Sequence, residues 1–142
     1  MKRILTALDG SPRAPLVLKT AARLAELTGA KLVLYRALVV PPEMPREVFA
    51  MTDARLEDFL RQNARTELER IASEVRPELV ETFATTFASP WDGICQAGRE
   101  YDADLIIVGS HGFGGLDRLL GTTAAKVVNH ADRNVMVVRT PL

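Results

Sequence analysis

The sequence has few of the residues from which covalent or metal-based frameworks are built. Its 142 residues include one cysteine, Cys95, and two histidines. A single cysteine excludes an internal disulfide bond and any zinc site that needs several cysteines. Cys95 lies beside Ile94 and close to Ala97, a setting typical of a small buried hydrophobic residue rather than of a reactive thiol.

Net charge and long hydrophobic runs are also absent. Lys and Arg number 18, as do Asp and Glu, so the overall charge does not attract the chain to nucleic acid or to an anionic membrane. No apolar stretch is long enough to span a bilayer, and Asp9 interrupts the first one too early for the core of a signal peptide. We therefore expect a cytoplasmic protein without nucleic-acid or membrane partners.

The residues that are present have the composition of one soluble domain. Hydrophobic residues make up 47% and charged residues 25% of the chain, which is typical of a globular protein. The length suffices for one hydrophobic core but not for two. We expect residues 1–142 to form a single domain.

Apolar runs alternate with helix-like segments along the chain. Strands are predicted at residues 3–9, 31–40, 79–87, 105–110 and 135–139. Helices are predicted from a Ser11 cap and Pro12 to Gly29, from Thr52 to before Pro77, from Pro90 to about Tyr101, and from Thr122 to Ala131. In the first helix, Leu16, Ala21, Leu24 and Leu27 are expected to form the buried side. This alternation predicts a parallel sheet with helices on both faces.

Two turns of this predicted sheet have unusual sequences. Ligands of such sheets bind beyond the carboxyl ends of the strands, where the strand order reverses. The first strand ends at Asp9 and the fourth at Gly109-Ser110. The two turns therefore meet if these strands are neighbours.

The second of these turns, residues 109–123, reads GSHGFGGLDRLLGTT. Its glycines let an anion approach the backbone, and the helix predicted to begin at Gly121-Thr122-Thr123 has free amides at its start. The two threonines add hydroxyl donors. The loop has neither the lysine of a Walker A motif nor the third glycine of the dinucleotide motif, where Asp117 stands instead.

Each feature of this region also has a simpler interpretation. The glycines could serve a tight strand-to-helix connection alone. His111 could donate to a phosphate or bond within its own loop, and Asp9 could hold a ribose hydroxyl or a hydrated Mg²⁺ or simply form a turn. No nucleophile with an adjacent base is visible, so catalysis is not the leading hypothesis.

Taken together, several segments resemble the universal stress protein family over essentially the whole chain. These segments are RILTALDGS, LVLYRALVV, DADLIIVGSHG, LLGTTAAKVVNHA and NVMVVR. The resemblance implies a Rossmann-like α/β fold, with a five-stranded parallel sheet of order 3-2-1-4-5 and helices on both faces. It also implies a homodimer joined through the last strand, Val135 to Arg139.

Members of the family that bind ATP carry glycine, two residues, glycine, nine residues, and then glycine followed by Ser or Thr. Gly109 and Gly112 fit this pattern, but only eight residues separate Gly112 from Gly121, so the loop is one residue short. Alternatively, Thr122 takes the glycine position and Thr123 the hydroxyl position. We expect the anion site to survive, because all its donor types remain.

The resemblance also assigns positions around a nucleotide. It places Asp9 near the ribose and a metal ion, and Ala7 and Ala37 along the adenine. It places Gly109, Gly112, Gly121, Thr122 and Thr123 around the phosphates. The implied ligand is ATP, with ADP or AMP as alternatives and Mg²⁺ as an optional companion.

Three functions follow from the sequence. The leading hypothesis is a dimeric stress-response module that responds to ATP. The second is a nucleotide-free dimeric interaction protein of the same fold. The third is a slow ATPase, which needs a positioned water and a base that the sequence does not reveal.

Overall fold

The computed structural model describes residues 1–40, 53–110 and 120–139. Within them, five strands and four α-helices alternate along the chain. In order, these are β1 (Arg3–Ala7), α1 (Ala14–Thr28), β2 (Lys31–Leu38), α2 (Asp53–Ala72), β3 (Val80–Phe87), α3 (Pro90–Glu100), β4 (Leu105–Gly109), α4 (Thr122–His130) and β5 (Asn134–Val138). A 3₁₀ turn, Pro77–Leu79, leads into β3. None of the helices in these ranges has the length and apolarity needed to cross a membrane.

The strands form one parallel sheet of order β3-β2-β1-β4-β5. The expected α/β fold and strand order are therefore confirmed. Strands β1 and β4 are neighbours, with Ile4 opposite Leu105 and Thr6 opposite Ile107. The chain runs outward from β1 through β2 to β3, and from β4 to β5 on the other side. The carboxyl ends of β1 and β4 consequently lie side by side where the order reverses.

Apolar side chains cover both faces of the sheet. Along β1, Ile4 packs into a core beneath α1 and α2, whereas Leu5 packs into a second core beneath α3 and α4. Successive side chains of a strand point to opposite faces, so a central strand covered on both sides is apolar throughout. This is why the central strands β1, β2 and β4 are largely apolar in the sequence.

The buried side of α1 differs from the expected one. Its buried residues are mostly small: Ala14, Val17, Leu18, Ala21, Ala22 and Ala25. The expectation that Leu16 and Leu27 are buried was wrong, because these side chains are 42% and 67% exposed. The small alanine side chains let the helix lie close to the sheet, and that close packing decides its rotation more strongly than the leucines do.

The start of α1 was also predicted incorrectly. The helix begins at Ala14 rather than at Pro12, its N-cap residue is Arg13, and no side chain caps it. Ser11 instead belongs to the preceding turn, where its hydroxyl oxygen accepts a hydrogen bond from the Arg13 amide at 3.3 Å. Pro15 occupies the first helical turn, where a missing amide does no harm.

The turn between α3 and β4 holds a residue in the left-handed region. Asp102 has φ of 47°. The Asp102 amide donates to Arg99 O at 3.1 Å and the Ala103 amide donates to Gly98 O at 3.0 Å. These two bonds form the helix-ending motif in which glycine usually takes the left-handed position. An aspartate therefore stands where glycine has the lower backbone energy.

We expect Asp102→Gly to stabilise the protein by about 0.5–1 kcal/mol, because relief of the left-handed conformation exceeds the added chain entropy of glycine. The substitution also removes the ion pair between Arg133 and the almost fully exposed Asp102 carboxylate, which are 3.8 Å apart, but such an exposed pair contributes little. Urea unfolding measures the change. Asp102→Ala is the matched control and should be no more stable than the wild type; equal stabilisation by alanine and glycine would contradict this account.

Candidate functional site

A cavity of about 520 Å³ lies at the carboxyl edge of the sheet. Its volume falls within the roughly 300–1,000 Å³ that is usual for small-molecule sites. Seven of the nine predicted site residues line it: Ala7, Asp9, Ala37, Gly109, Gly121, Thr122 and Thr123. The other two, His111 and Gly112, lie outside the described residues. The fold thus gathers the turn after β1, the end of β2 and the end of β4 around one cavity.

Asp9 forms the turn that follows β1. The Ser11 amide donates to Asp9 Oδ1 at 2.9 Å, an Asx turn of the kind that aspartate favours. The turn-forming role of Asp9 is therefore confirmed. The second carboxylate oxygen has no hydrogen-bond partner among the described residues, so it can accept a hydrogen bond from a ligand at the cavity wall.

Arg36 holds the backbone beneath Asp9. Its Nε donates to Leu8 O and its Nη2 donates to Asp9 O, both at 3.1 Å. The side chain is half-buried and lines the cavity, and this burial lowers the pKa of the guanidinium. An arginine stays protonated at neutral pH despite such a shift. Arg36 therefore fixes the turn after β1 and also brings positive charge to the cavity.

Tyr35 lines the cavity and is tightly packed against Gly93. Tyr35 is completely buried, and its hydroxyl is hydrogen-bonded to that of Thr86. Burial raises the pKa of this phenol. Gly93, in α3, lies so close that a Cβ at its position would overlap the Tyr35 hydroxyl. The absence of a side chain at Gly93 thus lets α3 approach β2.

The first residues of α4 line the cavity, and their amides have no acceptor among the described residues. The Gly121 amide donates to Ser110 O at 2.7 Å, and the first bond within the helix runs from the Ala125 amide to Gly121 O at 3.0 Å. Between these two, the amides of residues 122–124 have no acceptor among the described residues. All three residues line the cavity. They carry the partial positive charge of a helix N-terminus.

The expectation that the Gly121 amide itself is available to an anion was wrong. That amide is bonded to Ser110 O, and the Ser110 amide is bonded to Val138 O at 2.8 Å. These two bonds continue the sheet beyond Gly109 and tie the start of α4 to the end of β4. The available donors therefore begin one residue later than the sequence pattern suggests, at Thr122.

The described residues do not form a resident metal site. No group of three or more His, Cys, Asp or Glu side chains among them could hold an ion. Asp9 is a single carboxylate, and one of its oxygens is already bonded to the Ser11 amide. A hard cation such as Mg²⁺ usually keeps several waters and is held by one or two carboxylates together with phosphates. Asp9 can therefore serve as a ligand only for an ion that arrives already bound to a phosphate.

Sequence reasoning missed several residues of the cavity, among them Arg36, Tyr35 and Ser110. Arg36 was noted only as the neighbour of Ala37, whereas Tyr35 and Ser110 were not assigned to the site at all, although all three line it. Their positions at the ends of strands β2 and β4 were the available signal. Which of these side chains would face the cavity depends on packing that the sequence pattern does not specify.

Comparison with known proteins agrees with this fold. The universal stress protein family matches residues 1–139. The chain belongs to that family. Universal stress protein A homolog 1 of Coxiella burnetii is 30% identical over 138 residues, which cover 96% of this chain and 95% of that universal stress protein. Universal stress protein G of Salmonella typhimurium is 34% identical over 93 residues, 64% of this chain but only 65% of the relative's length.

Two solved universal stress proteins share the fold. One, described as a complex with cAMP, has a TM-score of 0.65 and 24% identity, covering 99% of this chain and 98% of its own. The other, from Archaeoglobus fulgidus and described as a complex with dAMP, has a TM-score of 0.62 and 23% identity, covering 96% and 97%. At this level of identity the similarity establishes the architecture of the family.

We expect Gly93→Ala to destabilise the protein by about 1–3 kcal/mol, because the added methyl overlaps the buried Tyr35 hydroxyl. Removing that hydroxyl with Tyr35→Phe should recover part of the loss in the double variant. Urea unfolding of the four proteins gives the coupling between the two positions. Strictly additive effects would show that Gly93 and Tyr35 are not in contact.

Proposed function

We propose that this universal stress protein binds an adenine nucleotide at the carboxyl edge of its sheet. The observation that carries the proposal is the set of three amides at residues 122–124, which have no acceptor in the described structure and line the cavity. Free amides and the partial charge of a helix N-terminus together favour a phosphate group. The phosphates of the nucleotide lie against the start of α4.

The base lies at the other end of the cavity. Ala7 and Ala37, at the ends of the neighbouring strands β1 and β2, are partly buried against the core beneath α3 and α4. Their small side chains leave room for a flat ring. From β2 to β4 is two strand spacings, about 10 Å, which suits a nucleoside with its phosphate. Asp9 lies between the two ends and accepts a hydrogen bond from the ribose.

The solved relatives and the charges of the cavity support the choice of ligand. The two universal stress proteins described as complexes with cAMP and dAMP hold ligands that combine adenine with a phosphate on the sugar. Among the described residues that line the cavity, the charged ones are Asp9, Arg13 and Arg36. Guanidinium groups at the cavity wall favour a polyphosphate, so we propose ATP as the ligand in the cell, with ADP and AMP binding more weakly. Any Mg²⁺ arrives with the nucleotide.

The protein acts as a cytoplasmic module that forms a homodimer through β5. We propose that residues 1–142 form one domain. Strand β5 is an outer strand of the sheet, and its Met136 is an exposed large hydrophobic side chain. An apolar strand at a sheet edge tends to pair with another strand. Strand β5 directly follows α4, so the phosphate site and the dimer edge are adjacent in the chain.

The backbone character of the phosphate site can be tested with two variants of Thr122. Thr122→Pro removes the amide donor, and proline is well tolerated at the first position of a helix. Gly121 already has φ of −60° and ψ of 157°, which suits a residue before proline. Thr122→Ala keeps the amide and removes only the hydroxyl. We expect the proline variant to bind ATP at least about tenfold more weakly, because a bond to a charged acceptor is lost.

Isothermal titration calorimetry with ATP and Mg²⁺ measures this effect, and urea unfolding checks that both variants are folded. The alanine variant is expected to bind within a factor of about three of the wild type. If ATP does not bind the wild type at millimolar concentration, the nucleotide proposal fails, and the nucleotide-free dimeric interaction protein takes its place. If the proline variant and the wild type bind ATP equally well, the start of α4 is not part of the binding site.

The dimer proposal predicts an effect of charge on β5. We expect sedimentation equilibrium to give twice the 15.6 kDa mass of one chain, and Met136→Lys to shift the protein toward the monomer, because a charged side chain disfavours edge pairing. Leu27→Lys is the matched control, since Leu27 is also exposed but lies on α1. A monomeric wild type, or a Met136→Lys variant that stays dimeric, would contradict the assignment of β5.

A further inference from the structure

Strand β3 is the outer strand of the sheet on the side opposite β5. Just beyond its end, the Ala88 amide donates to Leu38 O of β2 at 3.2 Å. Successive residues of a strand direct their backbone groups to alternate sides, and the register with β2 is regular over this part of β3. Phe83, Thr85 and Phe87 therefore direct their amides and carbonyls away from β2. Their three amides have no acceptor among the described residues.

The sequence of β3 does little to keep another strand away from this edge. Natural proteins protect exposed edges with charged side chains, proline, bulges or covering elements. The one charged residue of β3 is Glu81, which lies where the register with β2 is irregular. From residue 82 to residue 87 the strand reads TFATTF, without charge or proline. The regular part of β3 thus carries none of the protective residues.

A second cavity, of about 510 Å³, lies beside this edge, and we call it the β3 groove. On β3 it is lined by Phe83 and Thr85. Its other lining residues share one face of α2: Asp58, Arg61, Gln62, Arg65, Thr66 and Glu69. Side chains of a strand point alternately to the two faces of the sheet. Every second side chain of a strand added beside β3 therefore points toward this groove.

Two arginines of α2 hold their guanidinium groups over phenylalanine rings of β3. Arg61 Cζ lies 4.9 Å from the centre of the Phe87 ring, and Arg65 Cζ lies 5.2 Å from the centre of the Phe83 ring. A planar guanidinium can stack on an aromatic face and still donate hydrogen bonds from its edge. Stacking therefore places both arginines at the groove without using their N–H groups.

Most hydrogen-bond donors of these arginines are unused. Among the described residues, Arg65 donates one hydrogen bond, from Nε to Glu69 Oε1 at 2.9 Å. Arg61 donates none there, although its Nη1 lies 3.5 Å from a Glu57 carboxylate oxygen. Both side chains are about half exposed. A guanidinium has five N–H donors and matches a carboxylate through two parallel hydrogen bonds. The best partner for these donors is therefore a carboxylate.

We propose that the outer edge of β3 binds an extended acidic segment of a partner protein by strand addition. The backbone of the segment pairs with the outward groups of Phe83, Thr85 and Phe87, and its carboxylates bond to Arg61 and Arg65 in the β3 groove. In this mode of recognition, backbone pairing provides affinity and side-chain contacts provide specificity. Because β3 and β5 are opposite edges, this site does not compete with the proposed dimer.

A second copy of the chain fits this edge less well than an acidic partner. Two copies joined symmetrically through β3 present the same patch to each other, so Arg61 and Arg65 of one copy face those of the other. Like charges in such an arrangement are unfavourable. The one carboxylate of β3, that of Glu81, is already paired with Arg3 at 2.6 Å. The chain's own edge strand therefore offers the arginines no free carboxylate.

The experiment uses the full chain and a fluorescein-labelled peptide of alternating threonine and glutamate, eight residues long like β3, with fluorescence anisotropy as the measurement. We expect a peptide with lysine in place of glutamate, and one with N-methyl groups on alternate residues, to bind at least about tenfold more weakly. The first reverses the charge, and the second removes the amides that pair with β3. The Arg61→Gln, Arg65→Gln double variant should lose the preference for glutamate over lysine.

Thr85 allows the strand pairing to be tested on the protein. Thr85→Pro removes one outward amide, and proline is tolerated on an edge strand where the amide faces solvent. Thr85→Val keeps the amide and is the matched control. We expect the proline variant to bind the glutamate peptide about tenfold more weakly and the valine variant to bind it as the wild type does. Urea unfolding checks that both variants are folded, and the N-methylated peptide tests the pairing without any change to the protein.

Each contrary result overturns a stated part of the proposal. If the glutamate peptide does not bind the wild type, β3 is not a site for acidic segments. Equal binding of the N-methylated peptide would exclude strand addition, and equal binding of the lysine peptide would exclude recognition by Arg61 and Arg65. If Thr85→Pro halves the mass measured by sedimentation equilibrium whereas Thr85→Val does not, a second copy rather than a partner occupies the edge.

Discussion

The first amides of α4 have no acceptor within their own helix, and the fold places them where the sheet divides. Strands β1 and β4 are neighbours, and the chain leaves them toward opposite edges. The Gly121 amide is bonded to Ser110 O, which fixes the origin of α4 beside the end of β4. The donors at residues 122–124 are therefore positioned beside the end of β4 before any ligand arrives, and a preformed site loses less entropy on binding.

The rest of the site depends on how closely α3, β2 and the turn after β1 pack together at the carboxyl edge of the sheet. Gly93 lets α3 come near β2, where Tyr35 fills the wall. On the other side, Arg36 bonds two consecutive carbonyls at the end of β1 and holds the turn that carries Asp9. These contacts use the interior for packing and hold the turn after β1 in place. Small side chains and backbone groups, rather than an array of charged residues, shape the cavity.

The parallel sheet was predictable from the sequence because it depends on repeated patterns, whereas its strand order was implied by the resemblance to the family. Apolar runs alternating with helix-like segments predict a parallel sheet, and the turns at Asp9 and Gly109 fall at its carboxyl edge. Details that depend on three-dimensional packing were not predictable. The rotation of α1 is set by alanines rather than by Leu16 and Leu27. Whether the Gly121 amide is available to a ligand depends on the position of Ser110 O, which accepts its hydrogen bond.

The most direct measurement is amide NMR of the ¹⁵N-labelled protein during titration with AMP and, separately, with adenosine. If the account is correct, the amide resonances of Thr122, Thr123 and Ala124 shift downfield with AMP, as expected for bonds to a charged acceptor, and change little with adenosine. AMP binding that leaves these three resonances in place and moves others instead would contradict the claim that the start of α4 holds the phosphate.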